Sequence, residues 1–403
     1  MTEQNQSQRQ HVDSSDLIDF QEETIASVLT FQRSHPDYQE TPLVALKQLA
    51  ERLGIAHLYV KDESYRFGLN AFKVMGGIYA VAGCLAEKMG VALDNLSFSQ
   101  LKSEVVGNGL RGLTFISATD GNHGRGVAWV THQLGMKCII RMPKGSSLKR
   151  LEAIRAEGAD AEIADVNYDE TVRQCAALAR ENNYIMIQDT AWPGYEQIPL
   201  WIMQGYGAIA KEIADTIDEA PTHIFLQAGV GSYAGGIAAY FLGRYPQHPP
   251  KLVIVEPNQA DCYFRSFAHA DGTMESVSGE MNTIMAGLAC GEPNAYAFRL
   301  LSRYASGAIS CTDAVTALGM RLYGNPLPAD SPIVSGESGA VTMGALYLLC
   351  TDPQLQADRE RLGLDAQSTV LLINTEGNTD PDSYRDIVWK GDYPLTCRKM
   401  GGA

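Results

Sequence analysis

What this chain lacks narrows its function before anything it contains is considered. Its eight cysteines (Cys84, Cys138, Cys175, Cys262, Cys290, Cys311, Cys350 and Cys397) include no Cys-x-x-Cys pair, which excludes a zinc ribbon or a thioredoxin-type centre. Widely spread as they are, they read as small buried apolar residues of a protein in a reducing cytoplasm. The eight histidines show no His-Glu-x-x-His or other metal-binding spacing, so no metal is expected. No apolar run is long enough to span a bilayer. The start, Met1 to Asp13, is rich in Gln and Ser, lacks the apolar core of a signal peptide and reads as a mobile tail. Basic residues are in deficit, 32 Lys and Arg against 47 Asp and Glu, for a net charge of −15. That balance argues against nucleic acid or an anionic membrane as partner. There is no internal repeat.

What is present looks like an ordinary globular protein. At 403 residues, 45 % of them hydrophobic and 20 % charged, the chain can bury a large core, and two domains are expected. Strand-like and helix-like segments alternate: strand Leu113–Ser117, helix Gly126–Leu134, strand Cys138–Met142, helix Ser147–Glu157, strand Ala161–Val166, helix Tyr168–Asn182, strand Tyr184–Asp189. Such alternation predicts an α/β fold with mostly parallel sheets flanked by helices. Further strands are predicted at Leu58–Glu63, Thr222–Ala228, Lys251–Glu256 and Thr369–Asn374, and long helices at Pro199–Ile217 and Glu337–Cys350. The polar segment Val91–Val106 reads as an irregular excursion. The expected division is a smaller domain of residues 80–192 inserted in a larger one of 1–79 and 193–403. The ligand site is expected in the cleft between them, at the carboxyl ends of the strands.

Three segments carry chemistry. Asn70-Ala71-Phe72-Lys73-Val74-Met75-Gly76-Gly77 places a lysine, flanked by apolar residues and paired glycines, at the start of a helix. Packed there, an amine can have its pKa lowered and act as a nucleophile. Ser117-Ala118-Thr119-Asp120-Gly121-Asn122-His123-Gly124 is a polar turn between a strand and a helix, suited to holding an anion. Gln227-Ala228-Gly229-Val230-Gly231-Ser232-Tyr233-Ala234-Gly235-Gly236 is a glycine-rich strand-to-helix turn. Its backbone can wrap a phosphate, and the helix dipole favours the charge.

In this order the three segments resemble the pyridoxal-phosphate enzymes of the threonine dehydratase and tryptophan synthase β fold (fold type II). Phe67–Lys73, Ala118–Gly124 and Asn374-Thr375-Glu376-Gly377-Asn378-Thr379-Asp380 are similar, more closely, to the diaminopropionate ammonia-lyases. The similarity runs from about Thr41 to near the C-terminus. It implies a two-domain, tryptophan synthase β-like fold and pyridoxal 5'-phosphate bound covalently to Lys73. It implies that Gly229, Val230, Gly231 and Ser232 hold the phosphate, Asn122 the phenolic oxygen, and Thr375 the ring nitrogen. A hydroxyl at that nitrogen leaves the ring a weaker electron sink, which favours direct elimination. The turn of Thr119, Asp120, Gly121 and His123 would hold the substrate. Hydroxy-amino-acid dehydratases of the fold typically carry Ser-x-Gly-Asn-His where this chain has Thr119-Asp120-Gly121-Asn122-His123, and a carboxylate at Asp120 can pair with a cationic β-amino group. Asp189 is the second candidate catalytic acid. The implied reaction converts both enantiomers of 2,3-diaminopropionate to pyruvate and ammonia, in a cytoplasmic homodimer. Ile284–Leu288 and Ser335–Ala340 resemble substrate loops of the same fold, with Glu337 either orienting a ligand or opening its helix.

Two rival enzymes remain. A serine or threonine dehydratase shares the fold. An NAD-dependent dehydrogenase would use Gly229-x-Gly231-x-x-x-Gly235, with Glu256 at the end of the next strand, but it leaves Lys73 and the Asn122 turn unexplained.

Overall fold

A computed structural model describes residues 2–5, 11–119 and 121–395. Eleven strands form two sheets: β1 Thr2–Gln4, β2 Leu43–Ala45, β3 His57–Asp62, β4 Thr114–Ala118, β5 Lys137–Met142, β6 Asp160–Ile163, β7 Ile185–Met186, β8 His223–Gln227, β9 Lys251–Pro257, β10 Ala305–Cys311 and β11 Thr369–Asn374. The larger sheet has the order β1-β10-β9-β8-β11-β3-β2 and the smaller β6-β5-β4-β7. The smaller is parallel throughout. The larger is parallel inside, with antiparallel β1 and β2 at its edges. All six residues of β11 and all five of β8 are buried. Strands covered on both faces need such unbroken burial, and helices supply the cover.

Three helices set the site. Val74–Met89, Gln197–Thr216 and Ser232–Arg244 pack in series, the second between the other two. Their approach is backbone to backbone. A Cβ on Gly205 would lie 2.4 Å from the Met75 carbonyl oxygen, and one on Gly236 would lie 2.4 Å from that of Met203. Only glycine fits at either crossing.

Four local expectations change. Thr2–Gln4 lies in the predicted tail, yet it pairs with β10. The edge of that sheet offers unpaired backbone groups, and Asn5 secures the pairing by donating to the Ala305 and Ser302 carbonyls, both at 2.8 Å. The supposed irregular segment at 91–106 contains the helix Phe98–Gly107, opened by a capping box of Ser97 and Gln100. The strand expected over Tyr184–Asp189 narrows to Ile185–Met186. β10, Ala-Ser-Gly-Ala-Ile-Ser-Cys, was not foreseen; its small residues give no apolar run, and its neighbours supply the burial.

Candidate active site

The lysine loop is anchored from behind and stitched from the side. Behind it, Arg66 is completely buried and forms two bonds of 2.8 Å to Glu63, with bonds of 2.9 and 2.8 Å to Glu212. Lys61 Nζ adds a third cationic contact to Glu212 at 2.7 Å. Burial alone would raise the Glu212 pKa, but Arg66 and Lys61 outweigh it and draw it down to about 2. At the side, Gly377 N–H donates to the Asn70 carbonyl at 2.9 Å, Asn70 Nδ2 to the Asn378 carbonyl at 2.8 Å, and Phe72 N–H to the Thr375 carbonyl at 3.1 Å. Asn70 adopts φ 63°, a left-handed conformation that asparagine tolerates. The chain thus delivers Lys73 to the end of β11, directly before the Val74–Met89 helix.

There Lys73 Nζ meets Asp189 Oδ2 at 2.9 Å, with side-chain exposures of 16 % and 4 %. Asp189 follows β7. Its other oxygen accepts from Tyr168 Oη at 3.2 Å, and that phenol accepts from Gln188 Nε2 at 2.9 Å. Burial would raise the Asp189 pKa. The charges of Lys73 and His123, with the Lys73 and Tyr168 hydrogen bonds, hold it well below the usual carboxylate range.

The glycine loop closes the opposite wall. Gly231 has φ 91°, and a Cβ there would lie 1.9 Å from Tyr263 Oη. That phenol donates to the Val230 carbonyl at 3.1 Å. Asn294 donates its N–H to the same carbonyl at 2.7 Å and its amide to Ser232 Oγ at 2.8 Å, while Ser232 donates to the Asp189 carbonyl. No side chain caps the helix that starts at Ser232, so its first-turn amides keep their positive end for a ligand. Lys73, Asn122, Asp189, Gly229 to Ser232 and Thr375 line one cavity with Glu376.

The other candidates sit differently. Thr119 Oγ1 accepts from the Gly121 and Gly124 amides at 2.9 and 3.0 Å, shaping the turn, and His123 Nε2 faces the Ile187 carbonyl at 2.9 Å. None of Thr119, Gly121 and His123 lines the cavity. Asp120 lies outside the described residues. Asn122 donates to Glu376 Oε2 at 2.6 Å, joining the two sheets across the cleft. Glu337 meets Ser383 and, at 3.7 Å, Arg150, in the outer cleft. Glu256, the acid that a dinucleotide site would use, is completely buried. It accepts the Tyr263 and Phe264 amides at 3.0 and 2.7 Å, capping a short helix away from the cavity. Among the described residues no group of three metal-ligating side chains occurs, and no helix is long and apolar enough to cross a membrane.

Known proteins supply the deciding comparison. Residues 35–376 match the pyridoxal-phosphate dependent enzyme family. A diaminopropionate ammonia-lyase of Salmonella typhimurium is 48 % identical over 369 residues, 90 % of this chain and 91 % of that one. The chain belongs to the diaminopropionate ammonia-lyases. A holo structure of the Escherichia coli member superposes with a TM-score of 0.92 at 43 % identity, covering 98 % of both chains. The same protein in complex with an aminoacrylate–PLP azomethine reaction intermediate gives a TM-score of 0.90 at 42 % identity, with the same coverage.

The cavity of this family member fits pyridoxal phosphate. An uncapped helix start offers amides to an anion, and Lys73 offers an amine to an aldehyde. Thr375 accepts from Gln227 at 3.0 Å, and its own proton has no protein acceptor among the described residues. Four participants escaped the sequence analysis. Gln227 and Glu376 stood inside quoted segments and could have been singled out. Tyr168 and Asn294 stand at the starts of distant helices and gave no local signal.

Proposed function

We propose that this chain eliminates the β-amino group of 2,3-diaminopropionate, taking both the D and the L enantiomer to pyruvate and ammonia. The observation that carries the proposal is the meeting of Lys73 and Asp189 beside the open helix start at Ser232, in a chain related along nearly its whole length to ammonia-lyases. When bound, pyridoxal phosphate would supply an electron sink that eases loss of the Cα proton and departure of the β-amino group. Lys73 would hold the cofactor and offer its amine beside the substrate's Cα. The Gly229–Ser232 amides fix the phosphate, Asn122 the phenolic oxygen and Thr375 the ring nitrogen. Thr119, Gly121 and His123 shape the turn that receives the substrate carboxylate.

Two acids serve two enantiomers in this scheme. Bound through the same carboxylate and amine, D and L substrates point their Cα protons to opposite faces, which one base does not reach without moving. We assign the D substrate to Asp120 and the L substrate to Asp189. The anionic form of Asp189 is already favoured by Lys73. The family resemblance also supports a cytoplasmic homodimer, which sedimentation and cell fractionation would test.

Borohydride reduction followed by peptide mapping should place the cofactor on Lys73, and Lys73→Ala should abolish both the label and pyruvate release. A label on another lysine defeats the assignment. Pyruvate from serine or 2-oxobutyrate from threonine, but no pyruvate from diaminopropionate, would favour the hydroxy-amino-acid dehydratase.

A further inference from the structure

We propose that Gln227 fixes the direction of the Thr375 hydroxyl proton, and so keeps the cofactor's ring nitrogen an unprotonated hydrogen-bond acceptor. The proposal rests on the placement of Thr375 at that nitrogen given above. Gln227 ends β8 and is 2 % exposed. β8 pairs with β11 only at Val370 and Leu371, and the strands part beyond. Gln227 spans the gap. Its Nε2 donates to the Ile373 carbonyl at 3.0 Å and to Thr375 Oγ1 at 3.0 Å, with the Ser338 carbonyl at 3.4 Å.

Those partners settle which way the amide points. A backbone carbonyl only accepts, so the end of the side chain facing Ile373 and Ser338 must be the NH2 group. Turned over, the amide would set its oxygen against two carbonyl oxygens. The present orientation leaves Gln227 Oε1 buried without a partner among the described residues, which is costly. The NH2 side must therefore hold the residue firmly. The same NH2 group reaches Thr375, so that hydroxyl is obliged to accept. Its own proton is left to point into the cavity, which Thr375 lines.

A ring nitrogen facing a donor keeps its lone pair. A nitrogen facing an acceptor would take up a proton and make the ring a stronger electron sink. Gln227 thus acts as a positioning residue, one step behind the group that touches the cofactor. A purely structural Gln227 would only bridge two strands, and the ring nitrogen would not sense its replacement.

The test is the 15N NMR signal of cofactor labelled in its ring, bound to the native protein, to Gln227→Glu and to Gln227→Met, from pH 6 to 9. The native signal should stay at the position of an unprotonated, hydrogen-bonded base. Gln227→Glu offers Thr375 an acceptor and should move the signal toward the protonated position, most at low pH. Gln227→Met offers neither donor nor acceptor and should move it toward that of a free base. If the Glu variant does not fold, the native and Met proteins decide. A protonated native signal, or one that ignores residue 227 in every folded protein, overturns this inference alone. A native protein that takes up no labelled cofactor overturns the site assignment and this inference with it.

Discussion

Two clusters of buried opposite charge lie on either side of the lysine loop, and they are built on opposite principles. In the first, Lys61, Glu63, Arg66 and Glu212 balance two cations with two carboxylates. Both carboxylates carry several hydrogen bonds, and none of the four is more than 1 % exposed. In the second, Lys73 and Asp189 form a pair whose lysine is partly exposed and faces a cavity. The first has no capacity left to engage a ligand and serves as an anchor. The second holds a lysine that can leave its partner for another. A charged pair can take part in chemistry where one member faces a cavity, and a pair enclosed on every side cannot.

The contrast is sharpest at the open pair, where the largest effect is expected. Asp189→Asn should lower turnover of L-diaminopropionate by about 10²–10⁴-fold, the usual range for a lost general base, and harm the D enantiomer less. Equal losses for both enantiomers, measured as pyruvate release at matched cofactor content, would remove the proposed division of labour. Next comes the closed network. Glu212→Gln should cost about 3–5 kcal/mol by leaving buried cations unbalanced, with turnover per folded molecule unchanged. Guanidinium unfolding measures this, and a loss below about 1 kcal/mol would show that the network is no anchor.

A pH series separates the clusters further. Asp189 has a lowered pKa in the folded chain, so its pairing stabilises fully above the ordinary carboxylate range and fades as pH falls toward the depressed value. In cofactor-free protein, the stability gap between native and Asp189→Asn should therefore be constant from pH 8 to 6 and narrow only in acid. A gap that widens on acidification would reverse the sign assigned to Lys73. The smallest effect is expected at Ser232→Ala, which removes one hydroxyl from the helix start. Cofactor affinity should fall by about 1 kcal/mol, roughly fivefold, and titration by absorbance would show it.

Much of this was legible in the residues because parallel strands announce themselves. Thr369–Asn374 was placed to the residue, since a strand buried on both faces reads as an apolar run. Lys73, Asn122, the glycine loop and Thr375 were singled out by their motifs and the family resemblance, and the structure gathers them around one cavity. The cross-links between distant segments were not. Nothing local announces that Glu376 holds Asn122, or that Tyr168 steadies Asp189, because both contacts join residues that the fold alone brings together. Gly231 taught a further lesson. Its glycine is required by the Tyr263 ring behind it as well as by any phosphate in front, so replacing it would strain the fold along with the site.

The backbone-to-backbone crossings at Gly205 and Gly236 have a consequence for how such a chain changes over time. Lys73 opens one outer helix and Ser232 the other, and the shared helix between them leaves no room for either to slide. The span from reactive amine to anion-binding turn is set like the jaws of a locked calliper. The turn at Thr119–His123 belongs to the other sheet and lies outside that lock. Residues beside Asn122 in that turn can therefore change while Asn122 keeps its place at the cavity and the span from amine to anion-binding turn stays as it was.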